Sequence, residues 1–140
     1  MRANLTSLVN AECRPFLRLM SVAALLGVAS AVAGCRPSTT SEASMITGGD
    51  IERGRSAIGR YGCGACHTIP GIRGANATVG PPLDRIAVRG YLAGHLTNSP
   101  DNMMKWIQRP QEVDPKNAMP NMGVTDQDAR DIAAYLYTLR

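Results

Sequence analysis

The chain has 140 residues, 44% of them hydrophobic but only 4% aromatic, with 15 basic and 11 acidic side chains for a net charge of +4. That length suits one domain with a modest core, and the interspersed charges form no basic block of the kind that nucleic acid requires. Such a small, aromatic-poor domain needs a staple: disulfides, a metal or a cofactor.

Residues 1–34 read as a targeting segment. Arg2, Arg14 and Arg18 precede an apolar run over 20–34, MSVAALLGVASAVAG, which is short for a bilayer span but suits a signal core. Val32-Ala33-Gly34-Cys35 resembles a bacterial lipobox, and Cys35 would then become a lipidated N-terminus. Cleavage at the A-x-A site Ala31-Val32-Ala33, or retention of the segment as a short anchor, are the competing readings. All three deliver the chain to the periplasmic side of a bacterial inner membrane, and the lipobox adds a membrane tether through Cys35. Removing everything before Cys35 leaves 12 basic against 10 acidic residues, a nearly neutral surface. Cys13 lies in the removed part and has no assigned role. Residues 35–48 are rich in Ser, Thr and Gly without helical or strand periodicity, and read as a flexible tether. Residues 49–140 make the folded domain.

A first helix is predicted over 50–61, with Asp50 as N-cap. Gly54, Ile58 and Tyr61 recur at helical spacing, and Gly54 permits a close helix crossing. Cys63-Gly64-Ala65-Cys66-His67 follows. C-x-x-C-H is the spacing of covalent haem attachment: two sulfurs reach the haem vinyls as thioethers, and the next imidazole reaches the iron from the same side. Pairing these cysteines with each other would close a loop too short to constrain an unfolded chain. A dithiol redox motif needs a βαβ setting, which the sequence lacks. A zinc site needs four ligands, and His95 is the one other obvious nitrogen donor.

Ser99-Pro100 opens a short middle helix that ends before Pro110. Met103 and Met104 sit in its pattern with Trp106 and Ile107, as core filler. An electron-transfer haem needs a sixth ligand, commonly Met. Met119 lies in a Pro-bounded irregular loop over 114–120, which can hold a side chain at fixed depth. Met122 and His95 are the alternatives. The last helix begins at Thr125-Asp126-Gln127-Asp128, a capping-box-like start, and carries the stripe Ala129, Ile132, Ala133, Leu136 and Leu139. No convincing strand pair is present. The fold class is small all-α, three to five helices with long loops, and one central cofactor accounts for loops of that length.

Taken together, these segments resemble the class I cytochromes c of bacteria and mitochondria over 48–140. The likeness rests on Gly49-Asp50-Ile51-Glu52-Arg53-Gly54 before the haem motif, Val79-Gly80-Pro81-Pro82-Leu83, the stretch from Pro110 to Pro120, and Asp131-Ile132-Ala133-Ala134-Tyr135-Leu136, in family order. It implies one haem c, covalent through Cys63 and Cys66, with iron held by His67 and Met119. It also implies that the Pro81 carbonyl accepts from His67, that Arg89 stands near a haem propionate, and that Trp106 packs beside the Met ligand. Tyr91 and Asn98 are further candidates to reach propionates.

With both axial positions filled, the iron has no open site for a substrate, so one-electron transfer is expected rather than enzymatic turnover of a small molecule. The expected partners are redox proteins: a quinol-oxidising complex or dehydrogenase as donor, a terminal oxidase or reductase as acceptor. The alternatives are a dedicated haem c subunit of a dehydrogenase or haem-copper oxidase, a gas-binding or peroxidatic haem protein, and a haem-free metal or redox module.

Overall fold

The computed structural model describes residues 38–140. The targeting segment, Cys13 and Cys35 lie outside the described residues. Among the described residues, five helices carry the fold: α1 Thr39–Thr47, α2 Ile51–Arg60, α3 Pro100–Gln108, α4 Pro110–Val113 and α5 Asp126–Leu136. This is the small all-α architecture expected. Among the described residues, no helix is long and apolar enough to cross a membrane.

Local chemistry sets the helix ends. Asp50 caps α2 by accepting the Arg53 N–H at 2.8 Å. Ser99 caps α3, with Pro100 in its first turn. Thr125 caps α5 by accepting the Asp128 N–H at 3.1 Å. The Asp128 carboxylate also accepts from Tyr61 Oη at 2.8 Å and Arg60 Nη2 at 2.8 Å. One acid therefore ties the end of α2 to the start of α5. The Tyr61 hydrogen bond is the main reason its carboxyl sits below the ordinary range, against a smaller upward push from burial.

The helix α5 is buried almost all round, from Ala129 through Ile132, Ala133, Ala134, Tyr135 and Leu136. Helices α1, α2 and α3 all pack on it. The crossing of α2 and α5 is a backbone-to-backbone contact. A Cβ on Gly54 would lie 1.9 Å from the Asp131 carbonyl oxygen, so no larger residue fits there without displacement. The Asp131 carboxylate, 1% exposed, lies at the same crossing. It accepts from the Asp50 N–H at 2.7 Å, Arg53 Nε at 2.8 Å and Gln127 Nε2 at 3.0 Å, which offsets the cost of burying a charge.

Two expectations need correction. The tether read over 35–48 is helical in its described part, as α1. Ser38 caps it, Gly48 ends it at φ +66°, and only Ala43 and Thr47 are buried. One Ala and one Thr make too faint a stripe to register as periodicity, and packing on α5 supplies what propensity does not. Arg140 Nη2 also meets Glu42 Oε2 of α1 at 2.7 Å. Second, a minimal strand pair does exist: β1 Tyr91–Leu92 with β2 Leu96–Thr97, in antiparallel register Tyr91 to Thr97 and Leu92 to Leu96. Strands this short carry no readable alternation.

Candidate cofactor site

After α2 the chain turns at Gly62, in the left-handed region at φ +68°. A single 3₁₀ turn over Cys63–Ala65 follows. The N–H groups of Cys66 and His67 both donate to the Cys63 carbonyl, at 3.2 and 3.1 Å. This winding brings Cys63, Cys66 and His67 together on the wall of one cavity of about 410 Å³, within the range of sites that hold cofactors. Both thiols are free, and burial pushes the Cys63 thiol up, favouring its neutral form. Gly64 is required inside the motif, because a Cβ there would lie 2.8 Å from that of Ala75.

The imidazole is fixed from two sides. His67 Nδ1 lies 2.7 Å from the Pro81 carbonyl. A carbonyl can only accept, so Nδ1 carries the proton and Nε2 is the nitrogen free to bind a metal ion. The ring also lies against Gly80, where a Cβ would come within 2.4 Å of His67 Cε1. Gly80 in turn donates its N–H to the Cys66 carbonyl at 2.7 Å. The Gly80-Pro81 pair is therefore a bed cut to the shape of this ring.

Met119 reaches the same cavity from the loop after α4. Its N–H donates to Asn117 Oδ1 at 2.8 Å, and its carbonyl accepts from Gln111 Nε2 at 2.6 Å. Asn117 Nδ2 also donates to the Pro110 carbonyl at 2.9 Å and to that of Asp114. The Met119 backbone is thus held on both sides. Met122 lines the cavity too, but 45% exposed. Asn117 and Gln111 were not singled out in the sequence. An Asn two residues before the Met is the signal for the first, since Asx side chains bond two residues on. Nothing local points to Gln111.

Trp106 lines the cavity with Met103 and Ile107 of α3, as does Ile132 of α5. Arg89 lines it while donating to the carbonyls of Pro82 and Asp84, the latter at 3.0 Å. Tyr91 stands at the wall, 66% exposed. Asn98 is not among the lining residues. Its amide donates to the carbonyls of Ile86 and Arg89, both at 2.8 Å, and its oxygen accepts from Tyr137 Oη at 2.8 Å. Its hydrogen-bonding capacity is thus spent on the loop, and burial pushes the Tyr137 hydroxyl up to about 12. His95 lies outside the cavity, its Nε2 3.9 Å from Asp114 Oδ2.

These residues fit a large apolar ring with a central metal ion. Two free thiols stand beside a histidine with one oriented nitrogen, the methionine has an anchored backbone, and the remaining wall is mostly apolar. They do not fit a structural zinc site: among the described residues, no three His, Cys, Asp or Glu side chains converge as a metal-binding group.

The family model described as Cytochrome c matches residues 51–140. Over 89 residues the chain is 29% identical to "Cytochrome c oxidase subunit 2" of Alkalihalophilus pseudofirmus; the match covers 63% of this chain and 25% of that relative. No solved structure matches the chain.

Proposed function

The chain belongs to the cytochrome c family, and on that premise we propose that it is a one-electron carrier of a respiratory-type electron transport chain. A cytochrome c domain works by electron transfer through covalently held haem c. The single observation that carries the finer reading is the meeting of Cys63, Cys66 and His67 with Met119 at one apolar cavity.

Bound haem c supplies an iron that changes oxidation state by one electron. Cys63 and Cys66 would hold the haem covalently through their sulfurs. His67 Nε2 and Met119 Sδ would hold the iron. The apolar wall from Ile58, Leu83, Ile107 and Ile132 keeps water away, and Arg89 supplies a cation for a propionate. With the iron held by two side chains of the chain, the protein would, rather than bind a substrate, exchange electrons with redox partners. We propose that these are a quinol-oxidising complex or dehydrogenase on one side and a terminal oxidase or reductase on the other. We further propose that the mature protein is held at the periplasmic side of a bacterial inner membrane by a lipid on Cys35.

Mass and spectrum together test this. The mature protein should weigh one haem more than its polypeptide and lipid, show a sharp ferrous alpha band, and carry the weak near-infrared sulfur-to-iron band. Met119→Ala should abolish that last band. Its survival there, with loss in Met122→Ala, would transfer the ligand role to Met122.

A second reading has its own observation. The relative is a subunit of cytochrome c oxidase, which supports a haem c subunit dedicated to a haem-copper oxidase. Stoichiometric co-purification with an oxidase favours that reading, and rapid oxidation of the free protein by a separately purified oxidase favours the mobile carrier.

A further inference from the structure

The described fold begins at Ser38, the N-cap of α1, three residues beyond Cys35. An extended chain spans at most about 3.6 Å per residue, so a lipid on Cys35 would hold Ser38 within roughly 11 Å of its attachment point. The long leash expected over 35–48 shrinks to this stub, because its remainder is a helix packed on α5.

The exposed side of α1 has a suitable composition. Met45 is 66% exposed and Ile46 48%, two adjacent large apolar side chains open to solvent. The one charge on α1 is Glu42, and Arg140 neutralises it at 2.7 Å. No residue of α1 lines the cavity, whereas Ile132 and Leu136 of α5 do. The exposed cavity residues Val79, Tyr91 and Met122 all lie on other segments of the chain.

We propose that α1 is a membrane seat, with Met45 and Ile46 resting in the interfacial layer of the bilayer that holds the Cys35 lipid, while the cavity mouth stays in water. This rests on the lipid-anchor reading above. Two side chains would not bind a bilayer by themselves. A short covalent link makes the contact intramolecular, at an effective concentration of order millimolar, and a weak apolar contact is then occupied. Peripheral membrane proteins combine a lipid chain with a second surface contact in this way. The domain would thus be seated in one orientation and would not swing freely.

The test uses the full chain, matured with haem and lipid, in vesicles of phosphatidylethanolamine and phosphatidylglycerol. Ile46→Cys and Val79→Cys variants, both at exposed positions, each carry a nitroxide. They are measured in the ferrous state, so that the iron is diamagnetic. At position 46, accessibility to oxygen should exceed accessibility to a water-soluble nickel chelate several-fold relative to position 79. A lipidated chain with equal ratios at the two positions overturns the seat and leaves the anchor standing. Protection of position 46 from both reagents means protein cover and also overturns it. Mass spectrometry of the same sample reads the anchor independently, and a mature N-terminus without lipid on Cys35 removes both.

Discussion

Gly54→Ala and Gly59→Ala make the same chemical change twice in one helix, and the structure assigns them opposite signs. By intrinsic propensity alone, each replacement should stabilise α2 by up to about 1 kcal/mol. At Gly59 nothing lies within 4 Å of the new methyl, so the gain is realised, reduced near the helix end to about 0.5 kcal/mol. At Gly54 the methyl would sit 1.9 Å from the Asp131 oxygen and 2.5 Å from its carbonyl carbon. Ordinary contact requires roughly 3.5 Å, so α2 and α5 must part by about 1.5 Å. Overpacking of this kind costs about 1–3 kcal/mol. The same movement stretches the bonds from Asp50 and Arg53 onto Asp131, and hydrogen bonds to a charged group contribute about 1.5–3 kcal/mol each. The clash outweighs the propensity gain, for a net loss of at least about 2 kcal/mol. In a domain this size that lowers Tm by roughly 8–16 °C. Thermal melts of the haem-loaded proteins by far-ultraviolet circular dichroism provide the measurement. If Gly54→Ala melts at or above the temperature of Gly59→Ala, the backbone contact does not govern this crossing.

Two further predictions follow the same reasoning. Asn117→Ala removes the acceptor for the Met119 N–H and two bonds across its loop; a loss of about 1–2 kcal/mol in Met ligation should lower the pH at which the near-infrared band disappears, and an unchanged transition would refute the positioning role. Burial pushes the Asp131 carboxyl up, but hydrogen bonds from Arg53, Asp50 and Gln127 outweigh it and hold the group below its ordinary value. The unfolded Asp therefore takes up its proton first, near pH 4, so this stabilisation is full above that pH and is lost as pH falls through the lower folded value. Asp131→Asn should weaken the protein at neutral pH and flatten its acid limb in denaturant titrations below pH 4; an acid limb as steep as the wild type's would locate the sensitivity elsewhere, with Asp128 as the next candidate.

What the sequence revealed and what it hid divide along one physical line. Helices announced by a cap and a strong apolar stripe were readable: α2 behind Asp50, α3 behind Ser99-Pro100 and α5 behind Thr125. The C-x-x-C-H turn was readable because its geometry is local. Helix α1 was not, because Ala43 and Thr47 are its only buried residues and its stability comes from α5. The short helix α4 and the β1–β2 pair lie below the length at which any period can be seen. Asn98 illustrates the same limit for side chains. Its type suits a propionate, yet Tyr137, 39 residues away, claims its oxygen. Gln111 is the converse, an ordinary surface residue by sequence that grips the Met119 carbonyl because the loop folds back on α4.

The contact between Glu42 and Arg140 has an architectural consequence. It holds helix α1 and residue 140 together through a 2.7 Å ion pair. A body with adjoining entry and exit can be spliced into a longer polypeptide with little rearrangement of its interior. It can equally be permuted, its old ends joined and new ones opened at an exposed turn. Two segments held together in this way mark natural boundaries for a portable module.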